Sequence, residues 1–289
     1  MSARGGRARL TPYLLGLPGG LWLAIFFVIP IVVMLSMSLQ SGNVEEGFRF
    51  TWRWANYSDS WSNFHVQFVR SIVYGLIVTV ISLVLAYPMA YWIAFYGGRR
   101  KTTYLFLILL PFFVSFVIRT ASWKFILADE GIVLGPLKDA GLLPSDFHVL
   151  ATSTAVIGGL TYNYLPFMVL PLYVALERVD PSLVEAAYDL YASRAQAFRR
   201  VVFPLSLPGV FAGVLITFVP VTSDFVNNGI LGGTQTTMIG NVIQTQYLTY
   251  NEYPLAAAMS FILMAALLVG IFAYARTLGT EQVLEVSQL

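Results

Sequence analysis

The chain has 289 residues, 57% hydrophobic and only 11% charged, with a formal net charge of +2. Soluble domains carry about 25% charged residues, so this deficit, sustained along the chain, excludes a soluble globular protein and makes lipid the solvent for much of the sequence. With no cysteine and only His65 and His148, disulfide frames, thiol nucleophiles and thiolate or histidine metal centres are excluded as well.

Six apolar segments, at 14–37, 68–96, 102–127, 150–176, 207–223 and 254–275, are each about long enough to cross a hydrocarbon core of about 30 Å. They predict an all-α membrane protein of six transmembrane helices. The first follows Arg4, Arg7 and Arg9, as a signal peptide would. It is too long for one, and no small-residue cleavage site closes it before Gln40, so it reads as an uncleaved span. Eleven of the 17 lysines and arginines fall on one side if the N-terminus is cytoplasmic, which places both termini inside. The expected organisation is a cytoplasmic segment at 1–13, a membrane domain at 14–276 with a cytoplasmic loop at 178–205, and a tail at 277–289.

Outer loops are expected at 39–67, 128–149 and 224–253. Trp52, Trp54, Tyr57 and Trp61 crowd the first, which suits an interfacial aromatic belt or a partner-docking surface. Pro30, Pro88, Pro111, Pro166, Pro171 and Pro220 interrupt the spans and free backbone carbonyls, as bundle packing or a polar path allows.

The loop between spans four and five is read in two parts. Asp180-Pro181-Ser182 has the form of a helix start, with Asp as cap and Pro in first position. A short helix to Leu190 follows. Ala192-Ser193 is a turn and second cap, and residues 194–203 form a basic amphipathic helix. On its own this is a helix-turn-helix lying on a membrane surface.

Glu185-Ala186-Ala187, followed by Asp189-Leu190, Ala192-Ser193 and Phe203-Pro204-Leu205, resembles the EAA loop of ABC-importer permeases. The family glycine falls on Tyr191, where a left-handed turn would strain a tyrosine. The resemblance extends over about residues 65–275. Residues 162–173, Ile118-Arg119-Thr120 with Trp123, Leu231-Gly232-Gly233 and residues 238–243 look like the spermidine/putrescine permeases, first of the two permease subunits.

This resemblance implies a type I importer in the bacterial inner membrane. A second permease, a cytoplasmic ATPase dimer and an external binding protein would complete it. Glu185, Ala186, Ala187, Asp189 and Tyr191 are then the candidates for coupling to the ATPase. No phosphate-binding G-x-x-x-x-G-K-[ST] loop occurs, so ATP would be hydrolysed by another chain. No catalytic constellation, metal site or cofactor is expected, and no nucleic-acid partner.

A polyamine path needs carboxylates or carbonyls for ammonium groups and aromatic faces for cation–π contact. Asp224 is the candidate cation contact, with Asn227, Trp123, Tyr162 and Tyr164 on the pathway, although an interfacial acid and belt aromatics would look the same. Arg119 would repel such cargo. It is expected to pair with Asp224 or an outer-loop acid, or to gate. The same machinery could carry a metal ion, a thiamine-like cation or an amino acid derivative. A self-contained transporter or channel would instead show buried ionisable pairs or an internal repeat, and neither is evident.

Overall fold

The computed structural model describes residues 16–278, so the expected segment at 1–13 and all but the first two residues of the expected tail at 277–289 lie outside the described residues; those two continue the last helix. Its helices are α1 (Gly16–Ser38), α2 (Ala55–Tyr96), α3 (Gly98–Phe113), α4 (Phe116–Ile126), α5 (Leu134–Asp139) and α6 (Ser153–Glu177). They continue as α7 (Pro181–Asp189), α8 (Arg194–Thr222), α9 (Val226–Leu231), α10 (Ile239–Leu248) and α11 (Tyr253–Leu278). Strands β1 (Gln40–Asn43) and β2 (Gly47–Phe50) form one antiparallel hairpin. The helices α1, α2, α6, α8 and α11 are each long and apolar enough to cross a membrane, and α3 with α4, bent by 88°, makes a sixth if the pair counts as one broken span.

The described residues divide into two compact units, one of residues 16–63 and 243–265, the other of residues 64–242 and 266–278. In the first, Asn56 Nδ2 donates to the carbonyls of Ser38 and Gln40, and the hydroxyls of Tyr57 and Ser38 lie 2.7 Å apart. These bonds fasten the start of α2 to the end of α1. The stretch expected as a loop at 39–67 is therefore a hairpin followed by helix. At a rise of 1.5 Å per residue, the 42 residues of α2 span about twice the hydrocarbon thickness. Its first turns, with Tyr57 and Trp61, are helix rather than irregular chain.

The second unit is held by two apolar clusters. In one, Ala86, Ala90 and Ala94 form a small-residue stripe on α2 that meets Met168, Leu172 and Leu176 of α6 and Val202 and Val210 of α8. In the other, Tyr74 and Val78 meet Val156, Leu160, Val221 and Met238. Helices α6 and α8 approach closely because Gly209 and Gly213, four residues apart, present no side chain. A Cβ on Gly209 would stand 2.5 Å from Ala175 Cβ and 2.6 Å from the Pro171 carbonyl.

Prolines shape three spans in different ways. Proline has no N–H, so the carbonyl four residues back loses its helical donor. Ahead of Pro30 and Pro204 the helix widens to i→i+5 bonding over Ala24–Val28 and Phe198–Val202, with Ile29 N–H donating to Ala24 O and Phe203 N–H to Phe198 O. At Pro111 the helix tightens to a 3₁₀ turn, Val114 is extended, and the span bends by 88°. The continuous third helix expected at 102–127 is thus two helices. The amphipathic helix expected at 194–203 is the first part of α8, which runs through Pro204 and Pro208 into the fifth span.

Candidate functional site

The stretch expected as a loop at 224–253 contains α9 and α10, and a buried polar network gathers at its beginning. Asp224, just past the end of α8, is 6% exposed. Its Oδ1 accepts from the Asn227 backbone N–H at 2.7 Å, fixing the first turn of α9. Its Oδ2 accepts from Asn227 Nδ2 at 3.0 Å and from the Tyr164 hydroxyl at 3.3 Å. Asn227 is fully buried, and its Oδ1 accepts from Asn163 Nδ2 at 2.7 Å and from the Thr120 hydroxyl at 3.3 Å. Asn163 Nδ2 also donates to Thr120 Oγ1 at 2.9 Å.

Arg119 closes the network from the other side. Its Nε donates to Asn163 Oδ1 at 2.8 Å and its Nη1 to the Pro111 carbonyl at 2.7 Å. That carbonyl also accepts the Val114 N–H at 3.2 Å, closing the 3₁₀ turn, and Arg119 spans the bend to reach it. The guanidinium lies 4.6 Å from the Phe112 ring centre and 5.6 Å from that of Phe116, within cation–π range. Of the pairings expected for Arg119, neither the one with Asp224 nor one with an outer-loop acid forms among the described residues. Two asparagine side chains stand between the charges.

Of the five residues read as a cation pathway, three fall in this network and the other two pair with each other on the same helices. Asp224, Asn227 and Tyr164 share hydrogen bonds. Tyr162, beside Asn163 on α6, stands edge-on to Trp123 at 5.2 Å, both rings half-buried. Tyr164 packs near Phe116 and Phe167. Asn163, Thr120, Phe112 and Phe116 were not singled out from sequence. Asn163 carried a signal nonetheless, as an amide inside an apolar span.

The second candidate region is the 178–205 loop. Asp180 Oδ1 accepts from Ser182 N–H at 2.9 Å, as the cap reading expects, and this bond holds the Asp180 carboxyl below its ordinary pKa. Ser193 and Gln196 form a reciprocal capping box at the start of α8. Helix α7 is tied to the first apolar cluster through Val184, while Phe198 meets Tyr87 and Tyr91 edge-on. Glu185, Ala186 and Asp189 are exposed and Ala187 is half-buried.

Tyr191 takes the left-handed conformation with φ 59° and is 97% exposed. Its N–H donates to Tyr188 O and that of Ala192 to Ala187 O, the double closure of a Schellman turn. The loop therefore turns as a glycine would let it, with a tyrosine in the glycine's place.

The sequence profile of the binding-protein-dependent transport system inner membrane components matches residues 71–277. The spermidine/putrescine transport system permease protein PotB of Haemophilus influenzae is 36% identical over 88% of this chain and 90% of its own length. PotB of Escherichia coli K12 is 33% identical over 84% of this chain and 88% of its own. A bacterial ABC transporter involved in the import of the acidic polysaccharide alginate aligns with a TM-score of 0.69 at 20% identity, over 94% of this chain and 96% of that one. Matched by that profile over most of its length and by relatives at 36% and 33% identity, the chain belongs to the inner-membrane permease components of binding-protein-dependent ABC importers.

Proposed function

We propose that this permease imports polyamines such as spermidine and putrescine across the inner membrane as one half of a two-permease pore. The observation that carries the cargo is the 36% and 33% identity, over most of the chain, to permeases named for those two amines. In this reading both termini are cytoplasmic, a binding protein delivers cargo to the opposite face, and a separate pair of ATPase subunits hydrolyses ATP. Helix α7 contacts the ATPase through Glu185, Ala186, Ala187, Asp189 and Tyr191. Its anchorage to the apolar cluster through Val184 carries the movement into the spans.

Asp224 receives the cargo's ammonium groups at Oδ2, where the 3.3 Å bond from Tyr164 is the longest of the three that the carboxylate accepts. An ammonium taking that bond would set a full positive charge against the carboxylate in place of a neutral hydroxyl donor. Trp123 and Tyr162 offer ring faces to the methylene and ammonium groups alongside.

The test is ATP-dependent uptake of labelled spermidine into proteoliposomes carrying this chain with its ATPase, sister permease and binding protein. Competition by putrescine, and none by ferric ion, thiamine or amino acids, is expected. Uptake of a different solute would keep the machine and replace the cargo, while uptake without ATPase or binding protein would overturn the importer reading. Glu185→Ala with Ala187→Glu is expected to leave insertion intact and separate ATPase activity from uptake. Normal uptake by that variant would remove the coupling role.

A further inference from the structure

Arg119 is 7% exposed, and no carboxylate among the described residues forms an ion pair with it. A buried charge is strongly disfavoured unless something offsets it. Part of the offset is local, from the Pro111 carbonyl and the Phe112 and Phe116 rings. The remainder comes through two amides. Asn163 turns its oxygen to Arg119 and its nitrogen to Asn227, and Asn227 turns its oxygen to Asn163 and its nitrogen to Asp224. Both amide dipoles therefore run head to tail from cation to carboxylate. Reversing either would set donor against donor, so the hydrogen-bond partners fix this polarity.

We propose that Arg119 is the resident counter-cation of Asp224, coupled through Asn163 and Asn227, and that it limits how much positive charge the cargo can bring to this carboxylate. The proposal rests on Asp224 being the cargo's cation contact. When a cargo ammonium occupies Oδ2, the carboxylate is shared between it and Arg119. Each further ammonium on the cargo adds repulsion from the guanidinium. A transport site must bind its ion weakly enough to release it, and a tethered competitor supplies that weakness. Spermidine, with three ammonium groups, is held back more than putrescine, with two.

The experiment uses the complete importer in proteoliposomes and compares Arg119→Gln, which removes the charge and keeps an amide donor for Asn163, with Arg119→Lys, which keeps the charge. At limiting cargo, the ratio of spermidine to putrescine uptake is expected to rise about threefold in Arg119→Gln, the factor for one unit charge felt across about a Debye length at an effective dielectric near 20. Arg119→Lys should leave the ratio near that of the parent. Equal losses of both substrates in Arg119→Gln, or the same shift in Arg119→Lys, would overturn the proposal while leaving polyamine import standing.

Melting of the detergent-solubilised importer supplies a measurement that needs no cargo. Arg119→Gln and Asp224→Asn each leave one buried charge without its counterpart, and the double variant leaves none, so it should melt above the less stable single. A double variant no better than that single would overturn the coupling. If the parent moves neither amine, the cargo reading fails and the charge-limiting role with it, and the melting comparison still decides the coupling.

Discussion

Replacing Gly209 by alanine sets two effects of opposite sign against each other. In an exposed helix the change adds about 1 kcal/mol of helix stability. Here the new methyl would stand 2.5 Å from Ala175 Cβ, 2.6 Å from Pro171 O and 3.2 Å from Leu172 Cα. Carbon atoms rest at about 3.5–4.0 Å, and all three neighbours are backbone or a Cβ fixed to it. No rotamer change relieves the contact, so α6 and α8 must move apart by about an ångström. Overpacking of this kind costs about 1–3 kcal/mol, which outweighs the propensity gain. At Gly213 the nearest atom is the flexible Met168 Sδ at 2.7 Å, so Gly213→Ala should cost less. The assay is thermal melting of the purified importer in detergent. Gly209→Ala should melt clearly below the parent and below Gly213→Ala, and adding Ala175→Gly should restore part of the loss. A Gly209→Ala protein as stable as the parent would refute the close packing of the fourth and fifth spans on which the fold description rests.

Tyr191→Gly should stabilise the loop by about 1 kcal/mol, since the left-handed conformation is costly for any residue with a Cβ. Slower amide hydrogen exchange at Ala192, whose N–H closes the turn, would show it, and faster exchange would refute it. The depressed pKa of Asp180 means that its cap stabilises the folded loop above the unfolded pKa and is lost as pH falls through the lower folded value. Protection of the Ser182 amide should therefore persist on acidification through the ordinary carboxylate range and disappear in Asp180→Ala at any pH. Asn163→Leu removes the acceptor of Arg119 and a donor to Asn227, and stranding buried polar groups costs about 1–3 kcal/mol each. A pronounced drop in melting temperature is expected, and a neutral result would mean that the network does not hold the bent span.

The helical membrane class, five of the apolar spans and the helix caps were legible in sequence because they depend on local composition and on residues a few positions apart. Asp180, Pro181 and Ser193 occupy the cap positions that their chemistry predicts. The extension of α2 back to Ala55 was not legible, because a polar amphipathic turn at a membrane surface lacks the hydropathy that marks a span. The bend at Pro111 was missed for another reason. Proline also sits inside α2, α6 and α8 without breaking them. What distinguishes Pro111 is a side chain eight residues along the chain, Arg119, that accompanies the bend by donating to its carbonyl. Tyr191 shows the limit of propensity. The closure made by Tyr188 and Ala187 with the next N–H groups dictates the turn, and the residue at its apex conforms.

The sign of the cargo is a different kind of question, and the backbone does not answer it. The same fold, at 20% identity, serves a transporter involved in importing an acidic polysaccharide. Charge preference must then reside in side chains that can change without disturbing the spans. In this chain the network around Asp224 is where such a preference can act, because it holds a buried carboxylate and a buried cation bridged by neutral amides. Sequence reading found both charges and expected Arg119 to pair with Asp224 or with an outer-loop acid, or to gate. A direct pair would neutralise itself in place and leave the carboxylate little attraction for a passing ammonium. In the reading proposed above, separation by two asparagines leaves Asp224 a field that attracts a cation, while Arg119 remains near enough to oppose its retention. On that reading the asparagines, which carry no charge, set the strength of the site as much as the acidic and basic groups at its ends.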